Sequence, residues 1–318
     1  MPEWLIERGI GETRAVLVDG GEIIEARIVL EGAVQAGSVI AARLVHVGTN
    51  GRNAVARDES GAEYLLPRGA PGVTEGASLD IEVTREAIPG AEPWKRPMAR
   101  VTGGPAAPAR SLEARLLAFP APRDELARAG WDDLIDEARS GVVRFDGGEL
   151  RISPTPAMTL IDVDGFLPPE ELAVRGAAQA AKAIRRLDIG GSIGIDLPTS
   201  GSKAGRQKAA DAIDAMLPQP FERTAVNGFG FVQIVRSRLR ASLVELAQDR
   251  ASFEARALLR RVAVGPPGPR RLVAHPGMIA ILESRRDWIE GLARQVGGPV
   301  SLRADASLPM SGAYAEAV

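Results

Sequence analysis

The sequence predicts a multi-domain mixed chain, α+β as a whole and α/β in its middle. Three observations carry this. Short β-like runs recur through the first hundred residues, strand and helix patterns alternate from about residue 142 to 227, and a helix and a strand follow the Gly/Pro break at 265–269.

Taken in order, residues 13–18 and 22–30 are alternating runs joined by Asp19-Gly20-Gly21, a hairpin signal. Residues 1–35 are therefore read as N-terminal β-hairpins that pack on the catalytic part. Residues 36–104 continue as short strands, broken by Gly48-Thr49-Asn50-Gly51, Ser60-Gly61 and Gly69-Ala70-Pro71-Gly72, the pattern of a small barrel or sandwich. The stretch 103–108 has linker composition, and 105–145 reads as a linker with helices near 110–118 and 123–139. An α/β layer follows in 146–248. Strands near 142–153 and 157–163 lead to a helix near 169–187, a strand 191–196, a helix 203–216 and a strand 221–227, an alternation that implies parallel strands. Residues 231–235 suit a strand before the chain turns helical. Residues 249–318 read as a small C-terminal α/β domain, with a helix over 277–296 after His275-Pro276 and a strand at 300–303.

Composition narrows the chemistry. At 318 residues, 45% hydrophobic and 25% charged, the chain is ordinary for a globular protein with several cores. No apolar run approaches the roughly 20 residues of a membrane span, and the first residues lack the pattern of a signal peptide, so a cytoplasmic location is expected. There is no cysteine, which excludes disulfides and thiolate metal sites, and His46 and His275 are too far apart for a zinc motif. A net charge of −2 hides a local excess: between Gly228 and Arg271 nine arginines face three acids, which offers a phosphate-facing surface or simply a solvated one.

The chemistry-bearing feature is a pair of aspartates, each at the end of an apolar strand: Asp162 in Met158-Thr159-Leu160-Ile161-Asp162 and Asp196 in Ser192-Ile193-Gly194-Ile195-Asp196. Such carboxylates suit Mg²⁺, a hard cation that keeps several waters and takes further ligands from substrate phosphates. Asp164, two residues beyond Asp162, projects from the same face of an extended strand and joins the cluster. The alternative is that these aspartates cap turns. His275, at a helix start, is expected to cap, and Asp188 to help end a helix. Tyr64, Trp94, Lys95 and Arg96 supply the aromatic-plus-basic mix that single-stranded nucleic acid uses.

These segments resemble the ribonuclease E/G family. The stretch Thr155-Pro156-Ala157-Met158-Thr159-Leu160-Ile161-Asp162-Val163-Asp164, then Arg186-Leu187-Asp188-Ile189-Gly190-Gly191-Ser192-Ile193-Gly194-Ile195-Asp196, is similar to the family's catalytic core. Residues 229–239 resemble its following F-G-L-x-E-x-x-R-x-R segment, and residues 36–102 its S1 (OB-fold) barrel. The resemblance implies an S1/OB-type barrel inserted near the N-terminus, then the α/β catalytic layer and a small C-terminal α/β domain. It also implies that Asp162 and Asp196 hold a catalytic Mg²⁺, that Arg236 and Arg238 lie near the substrate path, and that Tyr64 lies near the RNA-binding face. The implied activity is Mg²⁺-dependent endonucleolytic cleavage of single-stranded RNA, leaving 5′-phosphate and 3′-hydroxyl ends. This chain departs from the pattern at Asp164 (asparagine in the family), Pro156 (glutamate) and Gly228 (arginine). The roughly sixty residues between Thr102 and Asp162 are too few for the family's 5′-end sensor together with its full RNase H-like domain, and without cysteines a monomer or homodimer would form with no zinc link. Two other expectations fit the same residues: a non-catalytic or weakly active RNA-binding protein, and a different metal-dependent phosphodiesterase.

Overall fold

Tight hairpins and helical crossovers decide the sheets. In the computed structural model, which describes residues 1–89, 95–121 and 123–318, the chain is a mixture of helices and strands that divides into two compact units. One gathers 1–31, 113–140 and 246–318; the other gathers 32–112 and 141–245. Among the described residues, no helix is long and apolar enough to cross a membrane.

In the first unit the N-terminal hairpins form a sheet in the order Glu22–Leu30, Glu12–Asp19, Glu3–Arg8, Arg115–Leu117. The last strand corrects the helix expected near 110–118. Arg115–Leu117 instead adds in parallel to the edge of Glu3–Arg8, and Arg115 bonds Glu3 and Glu125. The helix expected over 123–139 is split into Glu125–Arg128 and Trp131–Ser140 by Gly130, whose φ of 95° no helix accommodates. The C-terminal part has Arg270–Ala274 at the centre of a three-stranded sheet, with Val300–Ala304 parallel to it and Tyr314–Ala317 antiparallel. The helix expected over 277–296 is two helices, Pro276–Ser284 and Arg286–Val296, broken at Arg285. Their core contains Leu258, Leu259, Met278, Leu282, Trp288 and Leu292.

A buried charge network runs through this unit. Arg14 bonds Glu7 (2.6 Å) and Glu12 (2.8 Å), Arg256 bonds Glu12 (2.8 Å), and Arg260 bonds Glu7 (3.0 Å) and Asp124 (2.7 Å). The Trp131 ring lies 5.9 Å from the guanidinium carbons of both Arg14 and Arg260.

The second unit holds a closed five-stranded barrel and a six-stranded sheet. The barrel closes in the order Val39–His46, Ala54–Arg57, Glu63–Leu66, Met98–Thr102, Ser78–Arg85. Small and branched side chains fill it: Ala42, Leu44, Ala54, Ala56, Leu66, Ile81 and Val83. The sheet runs Val142–Phe145, Gly148–Pro154, Thr159–Gly165, Gly191–Asp196, Phe231–Arg236, Phe221–Arg223. Here the parallel α/β layer is corrected: only Thr159–Gly165 and Gly191–Asp196 run parallel, and the other neighbours are antiparallel. Short connections at 146–147 and 155–158 force antiparallel pairing, whereas the helix Pro169–Arg186 is the crossover that a parallel pair requires.

That helix lies on Gly148–Pro154 and Thr159–Gly165, and packs on Lys203–Met216. Its inner face is Ala173, Gly176, Ala177, Ala180, Ala181 and Ile184, small enough for close approach to Val163 and Ile161. A Cβ on Gly176 would sit 2.3 Å from Val163 Cγ1. Gly176→Ala therefore gains about 1 kcal/mol of helix propensity yet loses stability overall, by about 1–3 kcal/mol, because overpacking dominates; a lower urea midpoint at unchanged slope checks it.

Candidate functional site

Strand alternation sorts the six-stranded sheet into two faces. Ile161, Val163, Ile193 and Ile195 are buried on the helix side, whereas Leu160, Asp162, Asp164 and Asp196 are exposed on the other. The parallel register pairs Leu160 with Gly194 and Asp162 with Asp196. The antiparallel neighbours add Arg151 opposite Asp162 and Phe231 opposite Asp196. One row thus crosses four strands as Arg151, Asp162, Asp196, Phe231, with about 4.8 Å between neighbouring backbones. Asp164, opposite Glu149, begins the next row outward.

The row inward of the aspartates closes the floor. A Cβ at Gly194 would meet the Phe231 ring at 2.5 Å and Leu160 at 3.0 Å, so both side chains lean over the glycine. Beneath it, Gln233 donates to Ser192 Oγ at 3.0 Å. The aspartates therefore stand at the rim of a small apolar patch.

Their charges oppose one another. The Asp162 carboxyl is held above the usual range, first by burial and then by the neighbouring charges of Asp164 and Asp196, with Arg151 pulling the other way. Among the described residues, no group of three or more His, Cys, Asp or Glu converges as a metal site, so the donors are two paired carboxylates with a third one step along the strand. This set fits Mg²⁺, which is bound through one or two carboxylates and takes its other ligands from water and phosphate. Asp162 and Asp196 are the residues that would hold it.

The other nominated residues lie elsewhere. Tyr64 is 2% exposed in the barrel core and its hydroxyl donates to Asp58 at 3.1 Å. Burial and the Asp58 charge push its pKa far up. An enclosed ring has no face to offer a base, which corrects its place on a binding face. Arg236 is turned to the helix side of its strand, where its guanidinium donates to the Ile189 carbonyl at 3.1 Å, away from the aspartates. Arg238 pairs with Glu245, and its stem lies against Gly191. Arg96 pairs with Glu63 at 2.8 Å, Lys95 donates to the Pro156 carbonyl at 3.4 Å, and Trp94 lies outside the described residues. Gly228 faces open space. His275 caps the helix Pro276–Ser284, its Nδ1 accepting from Gly277 N–H, and Asp188 ends a helix at φ 53° while pairing with Arg240 at 3.0 Å.

Much of the arginine excess of 228–271 is engaged within the protein. Arg256 and Arg260 belong to the buried network, Arg261 donates to the Ala313 carbonyl, and Arg270 donates to the Pro266 carbonyl. Arg250 and Arg261 stay exposed, so only part of that charge is open to a phosphate.

Compared with known families and curated proteins, the sequence matches no family model and no curated relative.

Arg151 shares the row of the aspartates, and Phe166 and Phe229 stand beyond its outer edge; the sequence nominates none of the three. For Arg151 and Phe166 the signal was present: period-two alternation runs Arg151, Ser153 on one strand and Leu160, Asp162, Asp164, Phe166 on the next. Phe229 had no such signal, because a turn and not a strand places it.

A raised carboxyl pKa means that the folded chain binds that proton more tightly than the unfolded chain. Stability from this group is therefore highest below the ordinary aspartate range and declines as pH rises through the folded pKa. In EDTA, Asp162→Asn is expected to raise the melting temperature at pH 7, with the gain vanishing near pH 3, read by thermal scans across pH.

Proposed function

We propose that this chain is a Mg²⁺-dependent endoribonuclease that cleaves single-stranded RNA. The observation that carries the reading is the register of Asp162 against Asp196 on the open face of the sheet. The motif resemblance around both residues supports the same assignment. Mg²⁺, when bound, supplies charge neutralisation at the attacked phosphate and activation of water.

The chain's own residues do the rest. Asp162 and Asp196 would hold the ion, since each stands on a strand whose other face is buried. Asp164, in the next row, takes the proton of the attacking water. Arg151 meets the phosphate beside the pair; its side chain is 61% exposed and bonds Glu149 at 2.7 Å. We read the closed barrel as the S1/OB type, which guides the strand through its backbone and grooves, since Tyr64 offers no stacking face. The reaction leaves a 5′-phosphate and a 3′-hydroxyl, and a cytoplasmic location accords with an RNA substrate.

The enclosed Tyr64 also favours a second reading, a metal-dependent phosphodiesterase acting on a shorter substrate with the same aspartates. A labelled single-stranded RNA and a dinucleotide, each incubated with Mg²⁺ and with EDTA, separate the two. The endoribonuclease reading expects cleavage of the RNA that EDTA stops, and expects Asp196→Asn to lower the rate by more than the about 10–100-fold that losing an outer-shell partner costs. Cleavage confined to the dinucleotide selects the second reading, and RNA binding with no cleavage of either substrate sinks both.

A further inference from the structure

We infer that Phe166 and Phe229 are base-stacking platforms that hold single-stranded RNA at the outer edge of the aspartate row. The inference rests on the reading of that row as a phosphodiester site, and names what holds the nucleotides. The chain has only 7 phenylalanines, yet these two are 85% and 83% exposed. Neither contributes to a core, and each loses the burial that normally repays an aromatic ring.

The backbone beneath both rings is anchored. The strand that brings Leu160, Asp162 and Asp164 to the open face ends at Gly165, and the next residue, Phe166, donates its N–H to the Gly147 carbonyl at 3.2 Å. Phe229 stands on a turn built by Asn227, whose Oδ1 accepts from both Phe229 N–H (2.9 Å) and Phe231 N–H (3.1 Å). Gly230 completes that turn at φ 94°, where any Cβ would strike the Leu197 carbonyl at 2.1 Å. Thr199 Oγ1 then donates to the Phe229 carbonyl at 3.2 Å, tying the turn to the chain just beyond Asp196.

Phe166 thus follows the end of the Asp162 strand, and Phe229 sits beside the exit from Asp196. Both stand outward of the Asp162–Asp196 row, past the C-terminal ends of the two parallel strands. An apolar protein partner covering both rings would strip water from the neighbouring carboxylates at high cost. A nucleotide strand stacks its bases on the rings and leaves its phosphates toward the wet, charged row. Arg144, with a side chain 85% exposed, and Arg151 lie on the same face to meet that backbone. Every base has a π-face, so this grip is tolerant of sequence.

Fluorescence anisotropy with a labelled single-stranded RNA in EDTA tests this without cleavage. Phe166→Ala and Phe229→Ala are each expected to weaken binding about 5- to 100-fold, with Phe→Trp at either position retaining it. An abasic ribose-phosphate oligomer of equal length is expected to bind all of these proteins alike. Circular dichroism checks that the exposed substitutions leave the fold intact. The inference is overturned if the alanine variants bind RNA like the parent, if they lose the abasic oligomer equally, or if the parent binds no RNA. It is overturned in favour of a self-association face if the double variant only changes the oligomer seen by light scattering. A parent that binds through these rings but never cuts with Mg²⁺ keeps this inference and removes the nuclease reading. A double variant that binds and cuts like the parent removes this inference alone.

Discussion

The pairing of Thr159–Gly165 with Gly191–Asp196 is the constraint on which the site depends. It is the one parallel contact in its sheet, and only a crossover helix on the covered face makes it possible. Because strand side chains alternate, the burial of Ile161, Val163, Ile193 and Ile195 leaves no freedom for their neighbours. A one-residue slip would bury carboxylates and expose isoleucines, at a cost of about 1.5–3 kcal/mol for each apolar side chain alone. The hydrophobic contact with the helix thereby sets the register, and the register sets aspartate beside aspartate. Like charges brought together this way are a local liability, visible in the raised Asp162 carboxyl. A packed core elsewhere in the unit holds them there, as expected where polar residues serve a ligand rather than the fold.

Arginine serves a different purpose in much of this protein. Arg14, Arg256 and Arg260 are almost wholly enclosed; Arg14 and Arg260 meet carboxylates through two nitrogens each, and Arg256 meets Glu12 through Nε. In the second unit Arg240 sits between Asp188 and Glu86, joining the end of the crossover helix to the end of a barrel strand. Arg236 reaches back to close carbonyls at the end of a helix. Counting arginines along the chain therefore overstates the charge available to a phosphate backbone. The cations that face the open sheet are few, and they come from Arg144 and Arg151.

What the sequence made legible follows physical rank. Alternation and turn residues marked the N-terminal hairpins, the strands around both aspartates and the crossover helix, because those signals are local. The direction of strands was not local: the hairpins flanking Gly148–Pro154 turned an apparent parallel layer into a mostly antiparallel one. Arg115–Leu117 shows the same limit, since pairing with Glu3–Arg8 more than a hundred residues away made a strand of a segment whose pattern suggested a helix. At the site, Asp162, Asp164 and Asp196 were readable because strand ends and period two are written in the sequence. Tyr64 and Arg236 misled because residue type does not reveal which side of a strand faces inward. The barrel claimed one, and the helix face the other.

The buried network of the first unit has a consequence for the order in which the molecule assembles. Glu12 and Arg256 are 244 positions apart, and Glu7 and Arg260 are 253 apart. During synthesis the hairpins emerge with Glu7 and Glu12 sharing one cation, Arg14, until the helix Arg250–Ala263 brings Arg256 and Arg260. The segments of the other unit, 32–112 and 141–245, all leave the ribosome before that helix. The barrel and the aspartate sheet are therefore free to close first, while the earlier hairpins carry two carboxylates on a single cation, an excess of charge that resists premature burial. Charge here acts as a timer, keeping the oldest part of the chain open until its last partner arrives.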